Sequence, residues 1–585
     1  MSRLKTVPAG TILECDVLIV GSGPAGITIA MGLAGSSLRT ILLESGGERE
    51  STQSQDLLRG FVHPVGSHEP LEANRRRVFG GASTAWGGRC IAFDPIDFKP
   101  RPWIPYSGWP LGWRDVEPYL ARAAALCEVG EPVFDAGSAF PGRQAEMIAG
   151  FDGGGVLSSP LERWGPPTNF ARRYGPLLDK QANMTTILNA TLVGLKFDPE
   201  SGCVLHAQVA LAPDHRFIVR ARRIVLACGA IENARLLLAS NDAASAGIGN
   251  AFDKVGRFYM SHPNGMHAWS RLTDPGGRFL FGFERHGETY VRRRFWITPT
   301  AQRRRRMGNA VASFLTPYGD EELQAGALSS AVFIAKFALA LARKRDVADI
   351  LRHRKVLLRH FGRMAKEAPA LVPQLVEAAR QRFFAKRRLP ILLPRKEDLH
   401  NRFGLFYQTE HLPNPDSRIV LHSERDALGV PRAEARIAFT DLDVRTVMAT
   451  HALVRDQFRR SGTGELVYDE RDLEQQVRAR LRMFDSMAHH AGTTRMSKEP
   501  ATGVVDENCR VHGTSNLFVA GSSVFPTSSH ANPTFMIVTL ALRLAEHLRQ
   551  GECCLSVGEV DQSQEQGHST VRWQDATAAM VNKHA

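Results

Sequence analysis

The fold is decided near the N-terminus, where residues 16–26 read DVLIVGSGPAG. The apolar, partly β-branched residues before the glycines predict a buried strand, and the apolar run Ile27–Leu33 after them predicts a helix. Between the two, Gly21 allows a tight turn, Gly23 lets the backbone approach a pyrophosphate, and Gly26 lets helix and strand pack closely. Free N–H groups at the start of the helix would face the phosphates. This order of elements predicts a dinucleotide-binding site.

A carboxylate in the expected place supports this prediction. A second apolar run, Thr40–Leu43, predicts the next strand and is followed directly by Glu44. Glu44 lies roughly twenty residues after the glycines, where an acidic side chain can bind a ribose hydroxyl. The motif alone does not separate NAD from FAD, and a purely structural glycine turn is the alternative.

The composition is that of a large globular protein. The 585 residues are 43% hydrophobic and 23% charged, which allows a sizeable core and predicts two intertwined domains. The eight cysteines are scattered without metal-ligand spacing, so we predict no metal site and a reducing compartment. No signal-peptide pattern precedes the first strand, and no apolar run reaches the length of about twenty residues that spans a membrane. We therefore expect a cytoplasmic protein.

The positive charge is concentrated in one segment. Residues 336–396 contain 17 Lys and Arg against four Asp and Glu, a difference of +13 that equals the net charge of the whole chain. Apolar residues at helical spacing predict two or three amphipathic helices here, with a break near Pro369 and Pro373. A solvated helical insertion at about 328–396 is one interpretation, and a peripheral membrane surface formed by 336–396 is another. Nucleic-acid binding is disfavoured because no nucleic-acid motif accompanies the charge.

Two later stretches return the chain to the first domain. Residues 223–238 read RIVLACGAIENARLLL, which is again a strand, a glycine turn and a helix. Residues 516–521, NLFVAG, predict another strand that ends in glycine. Between them, residues 266–485 combine short strands with helices. The chain therefore leaves the nucleotide-binding domain and comes back to it.

A glycine-rich loop offers further backbone donors. Residues 74–89 read NRRRVFGGASTAWGGR, with two Gly-Gly pairs around small residues and one tryptophan. Such a loop can lay its N–H groups against an extended polar ligand. A glycine-rich surface turn is the alternative.

Two stretches near the C-terminus carry the candidate chemistry. The first, 488–496, reads AHHAGTTRM and offers His489 and His490 as proton acceptors. The second, 528–534, reads SSHANPT and places Asn532 just before a helix that begins at a proline. The N-terminus of that helix carries partial positive charge, which would stabilise the anion of a reduced flavin ring.

Together these motifs resemble the glucose–methanol–choline (GMC) family of FAD-dependent oxidoreductases. Four motifs agree in order, and the phrases around Trp86, Trp103–Pro110 and 492–496 place the chain near the bacterial branch of pyranose oxidases and sugar or gluconate dehydrogenases. The resemblance implies an α/β fold (α+β overall), with a Rossmann-like FAD-binding domain and a discontinuous substrate domain on a mixed or antiparallel sheet plus the helical insertion. The expected division is FAD binding by 1–130, 186–265 and 486–552, substrate binding by 131–185 and 266–485, and a disordered tail at 553–585.

The resemblance also assigns roles to residues. It implies that His489 is the catalytic base and Asn532 its partner, with His490 and His530 as weaker alternatives. It implies non-covalent FAD, because the loop position at which pyranose oxidases carry the attaching histidine is Ala85 here. The implied cofactor contacts are Gly21, Gly23, Pro24, Ala25, Gly26, Glu44, Gly80, Gly81, Ser83, Trp86, Gly87, Gly88, Val193, Gly229, Gly521, Asn532, Pro533 and Thr534.

The expected reaction follows from these roles. It is oxidation of a CH–OH group of a sugar, polyol or related alcohol to a carbonyl, with a hydride passing to flavin N5 and a histidine of near-neutral pKa taking the proton. The alternatives are the same chemistry on a long-chain, sterol-like or glycolipid alcohol at a membrane, and a non-catalytic flavoprotein subunit. Oxygen and a quinone or other carrier both remain open as electron acceptors.

Overall fold

The computed structural model of the protein describes residues 3–4, 6–273, 279–315, 330–331, 333–335, 337–338, 348–380, 402–483 and 488–550. The tail predicted at 553–585 lies outside these residues, as does much of the insertion predicted at 328–396.

Strands and helices alternate along the described chain. In order, the strands are β1 (Arg3–Leu4), β2 (Ile12–Val20), β3 (Thr40–Leu43), β4 (Phe61–His63), β5 (Arg89–Cys90), β6 (Val156–Leu157), β7 (Leu161–Trp164), β8 (Met184–Ile187), β9 (Thr191–Asp198), β10 (Cys203–Ala212), β11 (His215–Leu226), β12 (Asn264–Leu272), β13 (Glu284–His286), β14 (Thr289–Arg293), β15 (Phe295–Ile297), β16 (Ala310–Leu315), β17 (Arg402–Thr409), β18 (Arg418–Arg425), β19 (Pro431–Arg436), β20 (Gly464–Val467) and β21 (Leu517–Val519). The helices are α1 (Pro24–Leu33), α2 (Thr52–Asp56), α3 (Leu120–Leu126), α4 (Ala136–Ala139), α5 (Phe170–Leu178), α6 (Ala230–Ala239), α7 (Pro299–Arg305), α8 (Ala348–Lys366), α9 (Ala368–Ala379), α10 (Asp441–Ser461), α11 (Glu470–Arg482) and α12 (Thr534–Gln550).

The largest sheet has eight strands in the order β1-β8-β3-β2-β11-β10-β9, with β21 also paired to β11. Its β1, β8, β3, β2, β11 and β21 run parallel to their neighbours, whereas β9 and β10 form an antiparallel extension. Strands β2 and β3 are buried over nearly their whole length, as expected for parallel strands covered on both faces. Buried residues of helices α1 and α12 pack in the same hydrophobic core as the strands of this sheet. This is the predicted Rossmann-like layer, and the predicted α/β class is confirmed.

A second sheet of six strands has the order β20-β12-β17-β16-β15-β6, and its strands pair antiparallel throughout. It covers a separate core that includes Phe295, Phe314, Phe403 and Phe458. A four-stranded antiparallel sheet has the order β13-β14-β7-β5. Its strand β5 begins at the end of the glycine-rich loop, and its strand β14 is followed in the chain by β15 of the second sheet. A fourth sheet, β18-β19-β4, completes the set among the described residues.

The predicted division into two domains stays a prediction, but the packing bears on one of its borders. Strand β8 pairs with β3 in the eight-stranded sheet, and β8 begins before the predicted border at residue 186. Helix α5 also precedes that border, and its Phe170, Tyr174 and Leu178 belong to the core of the same sheet. These elements therefore pack with the Rossmann-like layer.

In the basic segment, the described residues include helices α8 and α9. The helices are interrupted at Glu367, two residues before Pro369, whereas no interruption occurs at Pro373. Pro369 lies in the first turn of α9, where the missing N–H costs nothing, and Pro373 is accommodated inside α9. Among the described residues, no helix is both long enough and apolar enough to cross a membrane.

Candidate active site

A cavity of about 730 Å³ lies at the carboxyl ends of the parallel strands. This is where open α/β sheets bind their ligands, because the loops that follow neighbouring strands diverge there. Its wall continues from the Rossmann-like layer to residues of β12 and β17 in the second sheet. The predicted site residues on this wall are Gly21, Gly23, Pro24, Ala25, Glu44, Gly81, Ser83, Trp86, Gly87, Gly229, Gly521, His489, Asn532, Pro533 and Thr534.

Three glycines on the wall leave space that a side chain would fill. A Cβ placed on Gly23, Gly229 or Gly521 meets no atom of the described residues within 4 Å. By contrast, a Cβ on Gly21, whose φ is +99°, would lie 2.7 Å from the carbonyl oxygen of Ala227. A Cβ on Gly26 would collide with the carbonyl oxygen of Gly21. Gly21 and Gly26 therefore serve close packing, while the other three expose backbone to the cavity, which fits a cofactor with phosphates.

Glu44 lies at the end of β3 and is nearly fully buried. Its Oε2 accepts hydrogen bonds from the Ser22 N–H at 3.0 Å and from Ser22 Oγ at 2.5 Å, and its Oε1 accepts one from the Gly46 N–H at 2.8 Å. Burial raises the pKa of Glu44, against the opposing effect of these hydrogen bonds. The side chain is thus held at the cavity wall with lone pairs left for a ligand hydroxyl.

Next to Glu44, a cluster of charged side chains surrounds Glu232. Arg75 and Arg77 approach its two carboxylate oxygens at 2.8 and 2.7 Å, and Arg235 bridges Glu232 and Asp426 at 3.2 and 2.6 Å. Burial would raise the pKa of Glu232, but these arginines outweigh it and hold the pKa at about 2. All five side chains line the cavity. Three guanidinium groups against two carboxylates leave an excess of positive charge, which suits a phosphate-bearing cofactor.

Four predicted cofactor contacts do not line the cavity, namely Gly26, Gly80, Gly88 and Val193. Gly80 and Gly88 instead shape the loop, with φ of +97° and +74°. Val193 packs with Leu57, Ala210 and Leu428, while its neighbours Thr191 and Leu192 reach the cavity.

The glycine-rich loop is held in place by its own side chains. Ser83 Oγ donates to the Gly80 carbonyl at 2.6 Å and accepts the Phe170 N–H at 3.1 Å. Trp86 Nε1 donates to the Thr168 carbonyl at 2.9 Å. These bonds tie the loop to the start of α5, and Ala85 lies on the cavity wall beside Trp86.

The amide of Asn532, which also lines the cavity, is oriented by two donors. Arg89 Nη1 and Gln408 Nε2 both point at Asn532 Oδ1, at 3.3 and 3.2 Å. Oδ1 accepts from both donors, which leaves only the NH₂ group of the amide to interact with a ligand. Its Nδ2 makes no hydrogen bond to any described residue. Asn532 therefore presents hydrogen-bond donors to the cavity.

Arg89 is fixed by the four-stranded sheet. Its Nε and Nη2 donate to Glu162 Oε2 at 2.8 and 2.7 Å, and Arg292 contacts Glu162 Oε1 at 2.7 Å from the neighbouring strand. Burial would raise the pKa of Glu162, but Arg292 and Arg89 outweigh it and hold the pKa at about 2. The buried carboxylate thus remains charged and anchors the guanidinium that orients Asn532.

His489 lines the same cavity as Asn532, and Arg89, which donates to Asn532, also acts electrostatically on His489. Nδ1 of His489 is 2.9 Å from His262 Nδ1, and Nε2 of His489 makes no hydrogen bond to any described residue. Burial, with a smaller contribution from the positive charge of Arg89, lowers the pKa of His489 to about 4. The expectation of a near-neutral pKa is therefore wrong in the absence of bound ligands, and the ring is neutral at ordinary pH.

The two alternative histidines have different surroundings. His490 also lines the cavity, and its ring stacks against His68 and Tyr259. His530 does not line the cavity; it is fully buried between Asp94, 3.0 Å from Nε2, and Arg294, 3.2 Å from Nδ1. His530 is thus engaged inside the protein, while His489 has the freer ring nitrogen.

Several site residues were missed at the level of sequence. Arg89 directly follows the second Gly-Gly pair, and this position next to the predicted cofactor loop is a signal that could have identified it as a site residue. His262, Asn264, Phe406 and Gln408 come from strands β12 and β17 or their approach, where the pattern of the sequence is weakest. Within the described ranges, no group of three or more His, Cys, Asp or Glu side chains could hold a metal ion.

Comparisons with known proteins identify proteins to which this chain is similar. A family model described as GMC oxidoreductase matches residues 413–541, which include Asn532 and the start of α12. Paromamine 6'-oxidase of Streptomyces fradiae is 23% identical over 91% of this chain and 90% of its own length. The chain is similar to GMC oxidoreductases, and its residues 413–541 match the model of that family. This confirms the resemblance seen in the motifs.

Further similar proteins match this chain over nearly their whole length. Fructose dehydrogenase large subunit of Gluconobacter japonicus is 22% identical over 92% of this chain and 99% of its own. Among solved structures, pyridoxine 4-oxidase from Mesorbium loti superposes with a TM-score of 0.52 at 18% identity, over 91% of this chain and 99% of that one. Formate oxidase superposes with the same TM-score at 17% identity, over 93% and 99%. The structural likenesses establish the fold, and FAD is the cofactor expected for it.

The glycine cradle generates a prediction. Gly23 has an ordinary φ of −68° and open space at its Cβ position, so Gly23→Val should fold while its side chain fills the space for the cofactor. We expect at least a tenfold fall, on the order of 1.4 kcal/mol, in FAD affinity. The measurement is the flavin released into the supernatant by acid precipitation, per mole of protein, across a series of FAD concentrations.

Gly362→Val is the matched control. Gly362 is exposed on α8, also has open space around its Cβ position, and lies away from the cavity. This variant should keep the flavin content of the unsubstituted protein. Equal flavin content and affinity in Gly23→Val would show that Gly23 does not approach the cofactor.

Proposed function

We propose that this protein oxidises a CH–OH group of a sugar, polyol or related alcohol to a carbonyl with FAD as the oxidant. The observation that carries the proposal is a pair of residues that line the same cavity. His489 offers a ring nitrogen without a hydrogen-bond partner among the described residues, and Asn532 offers amide N–H groups. One group can accept a proton and the other can donate a hydrogen bond, which is what an alcohol oxygen needs as it loses its proton.

The protein's own residues then have distinct tasks. Bound FAD would supply the acceptor for the hydride of the carbinol carbon. His489 Nε2 takes the hydroxyl proton, so that two electrons and one hydrogen leave with the hydride and the second hydrogen leaves as the proton. The NH₂ group of Asn532 donates to the same oxygen and holds the carbon in position. The N-terminus of α12, which reaches the cavity through Pro533 and Thr534, favours negative charge on the reduced cofactor.

The mixture of polar and aromatic side chains in the cavity lining supports a polyhydroxylated substrate. Polar groups are supplied by Arg89, Asn264 and Gln408, and aromatic rings by Trp164 and Phe406. Sugars combine hydroxyl edges with apolar faces, so such a mixture suits them better than it suits a long alkyl chain. Among the relatives, fructose dehydrogenase is named for a sugar, which agrees with this preference.

We also propose that FAD is bound without a covalent link, because Ala85 has no group that could form one. In the acid-precipitation measurement described above, all flavin should then appear in the supernatant. Flavin that stays with the precipitated protein would contradict non-covalent binding.

The reaction is tested by flavin reduction. Under anaerobic conditions, a panel of sugars and polyols should bleach the visible absorbance of the bound flavin. His489→Ala should slow this reduction by about a hundredfold or more, because a positioned base contributes on the order of 10² to 10⁴ in rate. Flavin content should be unchanged. The measurement is the single-turnover rate of bleaching by stopped flow.

His422→Ala provides the control, since His422 stacks on Phe61 and does not line the cavity. Reduction of the His489→Ala protein at the unsubstituted rate would refute the role of His489. Failure of every alcohol to bleach the unsubstituted protein would favour the alternative of a non-catalytic flavoprotein subunit. Repeating the panel in air with peroxide detection separates oxygen from a quinone or other carrier as electron acceptor.

A second candidate, action on a long-chain alcohol at a membrane, is motivated by helices α8 and α9. Leu358 and Phe361 on α8, and Val372 and Val376 on α9, are exposed apolar side chains at helical spacing. They lie among basic residues of a segment with a large excess of positive charge. Apolar side chains flanked by bases are typical of helices that lie on anionic membranes. We propose an anionic lipid surface as the partner of these helices, and cytoplasmic localisation stays a prediction from the sequence.

Membrane contact is tested by cosedimentation with phosphatidylserine-containing liposomes. Binding should be present at low salt and weaken as salt screens the charges. The double substitution Leu358→Ser with Phe361→Ser should weaken binding by about tenfold while the rate of sugar oxidation is unchanged. Lack of sedimentation at low salt would rule out this surface, and a substrate panel that favours long-chain alcohols would support the second candidate.

A further inference from the structure

We propose that His262 is a positioning residue that keeps the proton of His489 on Nδ1, so that Nε2 is the atom that receives the substrate's proton. The proposal deepens the function proposed above and rests on it. It is carried by a chain of three groups, the Ser528 carbonyl, the His262 ring and the His489 ring, whose hydrogen bonds have only one consistent arrangement of protons.

The first link fixes the proton of His262. Its Nε2 lies 3.2 Å from the carbonyl oxygen of Ser528. A carbonyl oxygen can only accept, so Nε2 of His262 must carry the hydrogen. In a neutral imidazole the other nitrogen then has a lone pair, which places an acceptor on Nδ1 of His262.

The second link transmits this choice to His489. The two Nδ1 atoms are 2.9 Å apart, which is a hydrogen-bond distance. Because Nδ1 of His262 accepts, Nδ1 of His489 donates. The lone pair of a neutral His489 is therefore on Nε2, the nitrogen that has no hydrogen bond to a described residue. The tautomer that can act as a base is selected before any substrate arrives.

The surroundings keep His262 neutral, as this arrangement requires. The ring is 2% exposed, and burial, followed by the neighbouring His489, lowers its pKa well below the usual value. The other charged or titratable groups that act on the pair are Arg89 and His530. Arg89 is paired with Glu162, and His530 with Asp94. A positive charge on His262 would be unfavourable next to a base that itself becomes positive.

The same arrangement assists after the proton has moved. A protonated His489 carries hydrogens on both nitrogens and needs an acceptor at Nδ1, which His262 supplies. Without that acceptor, the buried imidazolium would keep an unsatisfied N–H, which costs on the order of 1–3 kcal/mol. His262 thus acts on both the starting tautomer and the charged form, without touching substrate or cofactor.

The position of His262 links His489 to the segment that contains Asn532. Ser528 and Asn532 lie in the same segment before α12, whereas His262 lies two residues before the start of β12 in the second sheet. The segment before α12 and the approach to β12 therefore meet at this chain of hydrogen bonds. A shift between the layers would alter the ring of His489 and the amide of Asn532 together.

The test uses the FAD-loaded protein and two substitutions. His262→Phe keeps the ring shape but removes both hydrogen bonds. Flavin reduction should slow about tenfold or more, with little change in the substrate concentration needed for half-maximal rate, because the base and not binding is impaired. His262→Gln, whose Oε1 can accept from His489 Nδ1 and whose NH₂ can donate to Ser528, should restore most of the rate.

A second readout does not depend on turnover. In protein labelled with ¹⁵N-histidine, the signals of His489 are identified by their loss in His489→Gln. In the unsubstituted protein they should report a hydrogen on Nδ1 and none on Nε2. In His262→Phe they should report a mixture of tautomers, and in His262→Gln the original form.

The outcomes separate this proposal from the function on which it rests. A hydrogen on Nε2 of His489 in the unsubstituted protein would overturn the role of His262, even if sugars reduce the flavin as proposed. An unchanged rate and tautomer in His262→Phe would also overturn it. If no alcohol reduces the flavin, the proposed function fails, and the ¹⁵N measurement still decides the tautomer of His489.

Discussion

The carboxyl ends of four neighbouring parallel strands lie in register, and the cavity exists because of that alignment. Val20 pairs with Leu43 on one side and with Leu226 on the other, and Leu226 also pairs with Val519. The strands that end at these residues are followed by Gly21, Glu44, Ala227 and Ala520. Each loop therefore begins at the same level of the sheet and opens the same space. A change of register in one strand would move its glycine or carboxylate out of line with the others.

The chemistry proposed for His489 and Asn532 depends on a different kind of constraint, a set of buried charges that are almost fully paired. Glu162 holds Arg89, Arg89 holds the oxygen of Asn532, and the amide N–H groups are left for a substrate. His262 does the corresponding work for His489 through neutral hydrogen bonds. Both groups of the pair are thus oriented by side chains that lie on, or just before, strands of the second and third sheets. Buried polar groups of this kind are costly unless satisfied, so they specify one arrangement.

Local patterns in the sequence were sufficient to predict the nucleotide-binding part of the fold and the family resemblance. The strand, glycine turn and helix at residues 16–33, the carboxylate at Glu44 and the family resemblance of the C-terminal motifs are all short-range signals, and the predicted fold class and family are confirmed. The four-stranded sheet was not predictable, because it joins β5 to strands more than 70 and 190 residues away in the chain. The contacts of Arg89, His262 and Gln408 depend on that long-range packing. The lowered pKa of His489 also comes from burial, which local sequence does not reveal.

The central claim is that a neutral His489, held on this wall of the cavity, accepts the proton of the alcohol. The most direct test is the single-turnover rate of flavin reduction by a sugar or polyol between about pH 3.5 and pH 9. The folded-state pKa of about 4 means that the ring is protonated, and unable to accept a proton, only at low pH. The rate should therefore be constant from about pH 9 to pH 5 and fall as the pH decreases through about 4. A rate that instead falls with an inflection near the ordinary histidine value of about 6.5 would contradict the buried, neutral base.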